Sequence, residues 1–290
     1  MEKVYFTKDI TSENLVKLYN ILNKELKGKV AVKVHSGEEG NQNYLRPEFL
    51  KDIIERVNGT VVECNTAYLG ARNTTEKHEK LIENHGWNMY KFDLLDRDGS
   101  LKLDILNGVA IKENYVGKNL ANYDSMLVVS HFKGHPMGGY GGSLKQLSIG
   151  CASSEGKAYI HSAGKTMDQN TLWDNVAKQD KFLESMADAA SSVVNLFKGN
   201  IVYINIMCNM SVDCDCCAVA EDPCLKDIGI LISTDPVAID RCAIDLVINS
   251  NDSGKEHFLE RVNSRHGVYT IECAEKLNIG STMYELVDID

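Results

Sequence analysis

Three histidines and Lys145, all of which could act as ligands or acid–base groups, lie in one stretch, SHFKGHPMGGYGGSLKQLSIGCASSEGKAYIHS, residues 130–162. His131 and His135 are four residues apart, and Lys145 follows His135 by ten residues. His161 comes sixteen residues after Lys145. Imidazole can ligate a metal or move a proton near neutral pH, and an amine can bind an anion or attach a cofactor. We therefore predict that these side chains supply the chemistry of a ligand-holding loop.

The glycines of this stretch favour close approach of the backbone to a ligand. Glycine adopts positive φ angles without strain, so successive amides can converge on one group. The spacing G-G-Y-G-G-S-L-K matches neither a P-loop nor a Rossmann fingerprint, so a phosphate cradle is not indicated. The glycines predicted to hold a cofactor are Gly139, Gly141 and Gly142.

Five of the nine cysteines fall between Cys208 and Cys224, in the segment CNMSVDCDCCAVAEDPC. Thiolates are soft ligands that select zinc, copper(I) or iron–sulfur clusters. The spacing C-x-C-C-x6-C fits neither structural zinc pairs nor the ferredoxin run, so it indicates a metal or redox site without fixing the metal. Reduced surface cysteines without a ligand are the alternative. The predicted metal ligands are Cys214, Cys216, Cys217 and Cys224, with Asp213 and Asp215 as neighbouring hard donors.

Other reactive residue types receive structural interpretations. Asp235 precedes Pro236 and is predicted to cap a helix, with Asp240 on the face of that helix. His35 closes a predicted strand and is a candidate for the same cleft as the histidines above. Three cysteines in apolar patterns are predicted to be core residues: Cys64, Cys242 and Cys273.

The elements that must position these residues alternate between β-branched runs and amphipathic helical patterns. This alternation predicts an α/β fold with mainly parallel sheets flanked by helices. In such sheets, ligands bind outside the carboxyl ends of the strands. The glycine-rich stretch and the cysteine segment each begin where a strand ends, so both belong at that edge. The predicted strands are 3–6, 30–36, 60–67, 125–132, 200–209 and 228–234.

The 290 residues, 43% of them hydrophobic, are enough for one large domain or two lobes around a cleft. We expect a single family domain with lobes 1–110 and 111–290, because a β-hairpin excursion is predicted near 95–125. The net charge of −10 argues against nucleic acid and anionic membranes as partners, and leaves a small anion as a candidate ligand. The first residues show no signal peptide, and no stretch reaches membrane-span length, so a cytoplasmic location is expected.

Four motifs together resemble the domain-of-unknown-function-362 family, whose members are often called iron–sulfur-centre proteins. They are VAVKVHSGEEGNQNYLRP, the glycine-rich stretch, VDCDCC and DIGILISTDPVAID, in this order over nearly the whole chain. Many relatives carry an inserted ferredoxin module after the histidine that matches His161, where this chain has AGKTMDQNTLWDNVAKQD without a cysteine. Relatives similar to this one show C-D-C followed by Asp, where this chain has Cys217. The resemblance implies that a metal centre would use the CDCC segment or the histidines.

The string H-x9-K-x15-H is also similar to the core of the nickel-pincer lactate racemases. That resemblance implies that Lys145 holds the nickel cofactor, His161 ligates nickel and His135 acts as acid or base. It also implies Arg46, in YLRP, as the carboxylate-binding residue. The racemases show a second catalytic histidine in a G-x-H-R string, whereas LGARNTTEKH here has Ala71 and Arg72. His78 is displaced from that position, so one of the two acid–base groups is missing.

Three functional hypotheses follow. The first is a metal-binding redox protein in which the CDCC segment holds an iron–sulfur or other thiolate-bound metal centre, with an electron-transfer protein as partner. The second is a racemase-like enzyme that acts on a small 2-hydroxy acid with a lysine-tethered nickel cofactor. The third is a non-catalytic module that binds a metal or a small anion.

Overall fold

The computed structural model describes residues 1–290, and an eight-stranded sheet forms its centre. The strands in chain order are β1 (Glu2–Thr7), β2 (Val30–Lys33), β3 (Thr60–Glu63), β4 (Phe92–Leu94), β5 (Ser100–Asp104), β6 (Glu113–Gly117), β7 (Ser125–His131), β8 (Lys133–His135), β9 (Gly139–Gly141), β10 (Ile201–Met207), β11 (Gly229–Ser233) and β12 (Tyr284–Asp288).

The helices lie between these strands. In chain order they are α1 (Ser12–Leu22), α2 (Lys51–Arg56), α3 (Thr75–Asn84), α4 (Ser143–Lys145), α5 (Ser154–His161), α6 (Gln179–Phe197), α7 (Pro236–Asn249), α8 (Lys255–Ser264) and α9 (Tyr269–Lys276). A 3-10 turn at Pro47–Leu50 leads into α2, and a π-helical turn at Gln146–Gly150 continues α4. No helix is both long and apolar enough to cross a membrane.

The central sheet has the order β12-β1-β11-β10-β7-β2-β3-β4 and is mainly parallel, since only the two pairs that β11 makes are antiparallel. Every residue of β7 and β10 is buried, which is typical of inner strands covered on both faces. The predicted α/β fold with a mainly parallel sheet is confirmed.

Two apolar cores cover the two faces of the sheet. One holds 37 buried residues and packs α6, α7 and α9 on one face. The other holds 23 buried residues and packs α1 and α2 on the opposite face. Thr11 caps α1, and α1 ends at Leu22 because Asn23 takes the left-handed conformation at φ 53°.

The sheet crosses the boundary that the sequence analysis places after residue 110. Strand β2 pairs with β7, and β1 pairs with β11, so main-chain hydrogen bonds join residues 1–110 to residues 111–290. The predicted hairpin excursion is present as β5 and β6, which pair antiparallel outside the main sheet.

The order in which the chain adds strands to the sheet reverses beside β2. This reversal creates the crevice where a ligand site is expected. From β2 the chain moves outward through β3 to β4, and it then returns to β7 and continues through β10 on the other side. The loops after β2 and β7 therefore diverge and leave a crevice at the carboxyl ends of these strands.

Candidate functional site

A cavity of about 190 Å³ lies at this crevice. Its wall combines residues that follow β2, β3 and β7 with residues from the helices after the glycine-rich loop. His35 lies in this wall, and so does Cys64, which the sequence analysis assigns to the core. The polar lining side chains are Lys33, His35, Glu63, Cys64, Thr66, Tyr68, Arg72, His135, Lys145, Gln146, Lys157, His161 and Cys216.

Beside the cavity, the structure brings His135 together with Cys214 and Cys216. One ligand atom of each residue lies within 4.8 Å of those of the other two, which is close enough to share a metal ion. Lys145 Nζ is 3.7 Å from Cys214 Sγ, and Cys216 Sγ is 3.9 Å from His135 Nε2. The glycine-rich loop and the cysteine segment therefore form one site.

The charge state of the cysteines follows from their neighbours. A hydrogen bond from the Cys216 thiol holds the pKa of Cys214 well below its usual range. Burial acts in the opposite direction, and the charges of Lys145 and Lys133 lower the pKa further. The pKa of Cys217 is lowered by the same Cys216 donor. The group therefore favours a thiolate on Cys214, and the thiolate is the form of cysteine that binds metals.

Asp215, between the two cysteines of C-D-C, fixes the segment in place. Its carboxylate is 2.8 Å from His131 Nδ1 and 2.7 Å from Lys133 Nζ, and all three side chains are buried. The other ring nitrogen of His131 is 2.6 Å from the carbonyl oxygen of Cys208. The Asp215 carboxylate is thus occupied by the side chains of His131 in β7 and Lys133 in β8. His131 is a positioning residue, because neither of its ring nitrogens is left for a metal.

The hydrogen bonds of His135 set its tautomer. The backbone amides of Gly138 and Met137 donate to Nδ1 at 2.8 and 3.1 Å, so the proton of the neutral ring is on Nε2, facing the cysteines. A histidine that binds a metal usually donates from its second nitrogen instead. His135 is therefore arranged to donate a hydrogen bond from Nε2–H toward the cysteine sulfurs. Burial lowers its pKa to about 4.

His161 has the opposite arrangement. Its Nδ1 is 2.7 Å from the carbonyl oxygen of Lys157, so Nδ1 carries the proton and Nε2 keeps a free lone pair. The ring stacks on Phe182 with 4.9 Å between centroids, which fixes its orientation. This is the hydrogen-bond pattern of a metal-ligating histidine. His161 lines the cavity but is outside the group formed by His135, Cys214 and Cys216.

The neutral His161 ring makes stability depend on pH. Burial lowers its pKa to about 4, so between about pH 6.5 and 4 the unfolded chain binds this proton and the folded chain does not. Its contribution to stability is complete above this range and is lost as the pH falls through it. In the metal-free protein, the free energy of unfolding measured with urea should fall as the pH is lowered through this range. We expect His161→Gln to remove about 2–3 kcal/mol of that fall. The exposed His257→Gln variant is the control, and identical pH profiles for wild type and His161→Gln would contradict the assignment.

Asp240 positions Lys145 from α7. Its carboxylate accepts hydrogen bonds from the amides of Ser143 and Leu144 at 2.8 and 3.0 Å, at the start of the helical turn that carries Lys145. Asn205 also donates to it, at 2.8 Å. The expected helix-face residue is therefore a buried anchor of the loop. As predicted, Asp235 caps α7, by accepting from two backbone amides.

The predicted cofactor-binding glycines face protein and do not line the cavity. A Cβ atom at Gly142 would lie 2.6 Å from an Asp240 oxygen, and one at Gly139 would lie 2.8 Å from the Gly267 backbone. Gly141 contacts the side chains of Lys133 and Lys145. These positions need glycine because the loop packs tightly behind the site.

Two other predicted site residues are not brought to the cavity. The Arg46 guanidinium donates to the carbonyl oxygen of Gln42 and lies over the Tyr44 ring, 3.9 Å from its centroid. Cys224 donates its thiol to the carbonyl oxygen of Met210 at 3.3 Å and is outside the metal-binding group. Cys217 adjoins that group through Cys216.

A buried ion network that the sequence analysis missed forms one wall of the cavity. Arg72 pairs with Glu63 at 3.0 Å and with Glu38 at 3.2 Å, and its guanidinium also donates to the Tyr68 hydroxyl. His78 lies 3.3 Å from Glu63. The available sequence signal is a charged residue at the carboxyl end of an otherwise apolar strand, as in TVVE and VAVK.

Two solved structures share part of this fold. The lactate racemase apoprotein from Thermoanaerobacterium thermosaccharolyticum is 16% identical with a TM-score of 0.44, and the match covers 70% of this chain and 50% of that one. A protein from Thermotoga maritima is 14% identical with a TM-score of 0.44, and the match covers 91% of this chain and 58% of that one. The chain thus spans about half the length of these proteins. No curated protein matches it.

The sequence model of the family described as domain of unknown function (DUF362) matches residues 30–245. This range begins with β2, ends within α7 and contains the glycine-rich loop, the cysteine segment and the cavity lining between them. The chain belongs to the DUF362 family.

Proposed function

We propose that this protein holds a thiolate-bound metal with a redox role at Cys214 and Cys216, next to a cavity for a small ligand. The observation that supports this most is the group of His135, Cys214 and Cys216 within 4.8 Å, in which Cys214 is held as a thiolate. An unligated buried thiolate carries a desolvation cost that a bound cation would offset.

The cysteine donors favour a soft metal, and their number limits which type of metal centre can bind. Three cysteines of the segment approach one another, whereas the Cys224 thiol donates to the Met210 carbonyl oxygen and the Cys208 side chain packs in an apolar core. A cluster with four cysteine ligands therefore does not fit these residues. A single metal ion, or an iron–sulfur cluster with fewer cysteine ligands, fits the two thiols and the adjoining Cys217. Such a centre would supply one-electron chemistry or Lewis acidity.

The surrounding residues have separate tasks in this proposal. Asp215 anchors the backbone between the two cysteine ligands, and Lys145 stabilises the Cys214 thiolate by its charge. His135 presents its Nε2–H to the group at 3.9 Å from Cys216 Sγ, so it can donate a hydrogen bond to a ligand bound there. Because the cavity joins this group through His135, Lys145 and Cys216, a small molecule in the cavity would lie next to the centre.

A second candidate is the racemase-like enzyme with a nickel cofactor on Lys145. The supporting observation is that Lys145, His135 and His161 line one cavity, with a free Nε2 on His161. His78 is fully buried against Glu63 and does not replace the missing catalytic histidine. His35 lines the cavity and is the residue that could take that role.

Elemental analysis and a visible absorption spectrum of anaerobically purified protein test the first candidate. We expect near-stoichiometric metal in the wild type and its complete loss in Cys214→Ser/Cys216→Ser, because both thiolate ligands are removed. Cys224→Ser is the matched control from the same segment and should retain the metal. Metal that survives the double replacement would overturn the cysteine site.

An intact-mass measurement distinguishes the second candidate. A covalent increment on the wild type that disappears in Lys145→Arg would support a lysine-tethered cofactor, because arginine keeps the charge but cannot form the same link. Unmodified protein that retains metal on the cysteines would favour the first candidate.

A further inference from the structure

Two buried lysines in the cavity wall have no carboxylate partner. Lys33 and Lys157 are 1% and 7% exposed, and neither makes a salt bridge. Lys33 Nζ donates to the carbonyl oxygen of Val34 and, at 3.1 Å, to Gln146 Oε1, whereas Lys157 Nζ donates to the carbonyl oxygen of Ala152 at 2.6 Å. Buried ammonium groups without a counter-ion are costly, so their retention needs a reason.

The other two cations of the cavity wall, Arg72 and Lys145, each lie beside an anion. Glu63 is the one carboxylate among the lining residues, and it pairs with Arg72 and His78. Lys145 lies beside the Cys214 thiolate. Lys33 and Lys157 are therefore the two lining cations without an anion in hydrogen-bond contact.

The two lysines belong to one subsite. Lys33 ends β2 and Lys157 lies in α5, and both side chains line the same cavity. Gly150 leaves room for the Lys33 side chain, because a Cβ atom there would lie 3.2 Å from Lys33 Nζ and 2.5 Å from Gln146 Oε1. Backbone and side chains are thus fitted around the Lys33 ammonium.

We propose that Lys33 and Lys157 bind a small dianion, either a short dicarboxylate or a phosphate monoester, in this cavity. The inference deepens the proposed function, since it assigns the ligand class of the cavity beside the metal group. Each of the two ammonium groups would then pair with one negative charge of the ligand. A cavity of about 190 Å³ takes a molecule somewhat larger than benzene, which occupies engineered cavities of about 150 Å³.

Calorimetric titration with succinate, inorganic phosphate and acetate tests the charge match. We expect succinate or phosphate to bind at least about tenfold more tightly than acetate, because a charge-assisted hydrogen bond contributes about that factor. Binding of succinate alone assigns a dicarboxylate, and binding of phosphate alone assigns a phosphate ester. Equal affinity for acetate, or no binding of either dianion, would overturn the proposal.

Replacement of Lys157 identifies the site. Lys157→Met should weaken binding of the dianion about tenfold or more without lowering the melting temperature, and the exposed Lys165→Met should change neither. Lys33→Met gives a second, independent loss of affinity. A Lys157→Met protein with a lower melting temperature and unchanged affinity would show a structural lysine instead.

A wild-type measurement covers the case of a variant that does not fold. Succinate or phosphate, whichever binds, should protect Lys33 and Lys157 from reductive methylation, as read by peptide mass spectrometry, and should leave Lys165 unprotected. The titration is repeated on Cys214→Ser/Cys216→Ser, which separates the two proposals. Dianion binding by this metal-free variant would show that the subsite works without the metal centre. Metal in the wild type with no binding of either dianion would overturn this inference alone, and dianion binding by a wild type that holds no metal would overturn the metal centre alone.

Discussion

Asp215→Asn is expected to lower the free energy of unfolding by about 3–5 kcal/mol. The asparagine keeps the shape of the side chain but leaves the buried Lys133 ammonium without a counter-charge at 2.7 Å and turns an amide toward His131 or Lys133. A loss of this size corresponds to a melting temperature lower by on the order of 10 °C. Thermal and urea unfolding of the metal-free protein measure both quantities.

Asp213→Asn is the matched control for this variant. Asp213 is two residues away on the same segment and pairs with Arg261 at 3.1 Å, but both side chains are about one-fifth exposed. A pair in contact with solvent contributes about 0–1 kcal/mol, so we expect a small change. Equal losses in the two variants would refute the role of Asp215 as the buried anchor.

Arg72→Met is expected to cause a second loss of about 3–5 kcal/mol, since it leaves Glu38 and Glu63 buried without their shared cation. Arg97→Met, which removes an exposed pair with Glu79, should cost about 1 kcal/mol or less. Adding Glu63→Gln to Arg72→Met should restore part of the stability, because it removes an unpaired charge. Strictly additive losses in this double-mutant cycle would contradict the network.

The fold was predictable because its signals are local. Apolar strands and amphipathic helices alternate in the sequence, and this pattern predicts a mainly parallel sheet. The convergence of the glycine-rich loop and the cysteine segment was also predictable, since β7 and β10 are parallel neighbours whose carboxyl ends lie together. The boundaries were less accurate: β2 ends at Lys33, because the chain leaves the sheet there to enter the crevice.

The roles of individual site residues were less predictable because they depend on distant partners. Asp215 looked like a metal donor, but its carboxylate is occupied by His131 and Lys133. Gly142 looked like a ligand-facing glycine, but it faces Asp240, 98 positions along the chain. Arg46 was assigned from a short motif, which does not determine where a guanidinium points.

The lysines of the dianion subsite show the same limit. Lys157 reads as an ordinary polar residue in SEGKAYIH, and nothing in the local pattern reports that its ammonium group is buried. Lys33 gives a weak signal, as a charged residue after three apolar ones in VAVK. Only the assembled cavity reveals that both lack a counter-ion.

The cavity wall is drawn from Lys33, Glu63, Arg72, His135 and Lys157, and so from strands and helices on both sides of the sheet. No short segment of the chain contains the site, so the site is lost when β2 and β7 separate on unfolding. By mass action, a ligand that binds only the folded protein opposes unfolding of the whole domain. At a ligand concentration one hundred times Kd, it adds about 2.7 kcal/mol to the free energy of unfolding. Resistance to proteolysis should therefore rise throughout the protein when the site is filled, and a protease digest can report ligand occupancy.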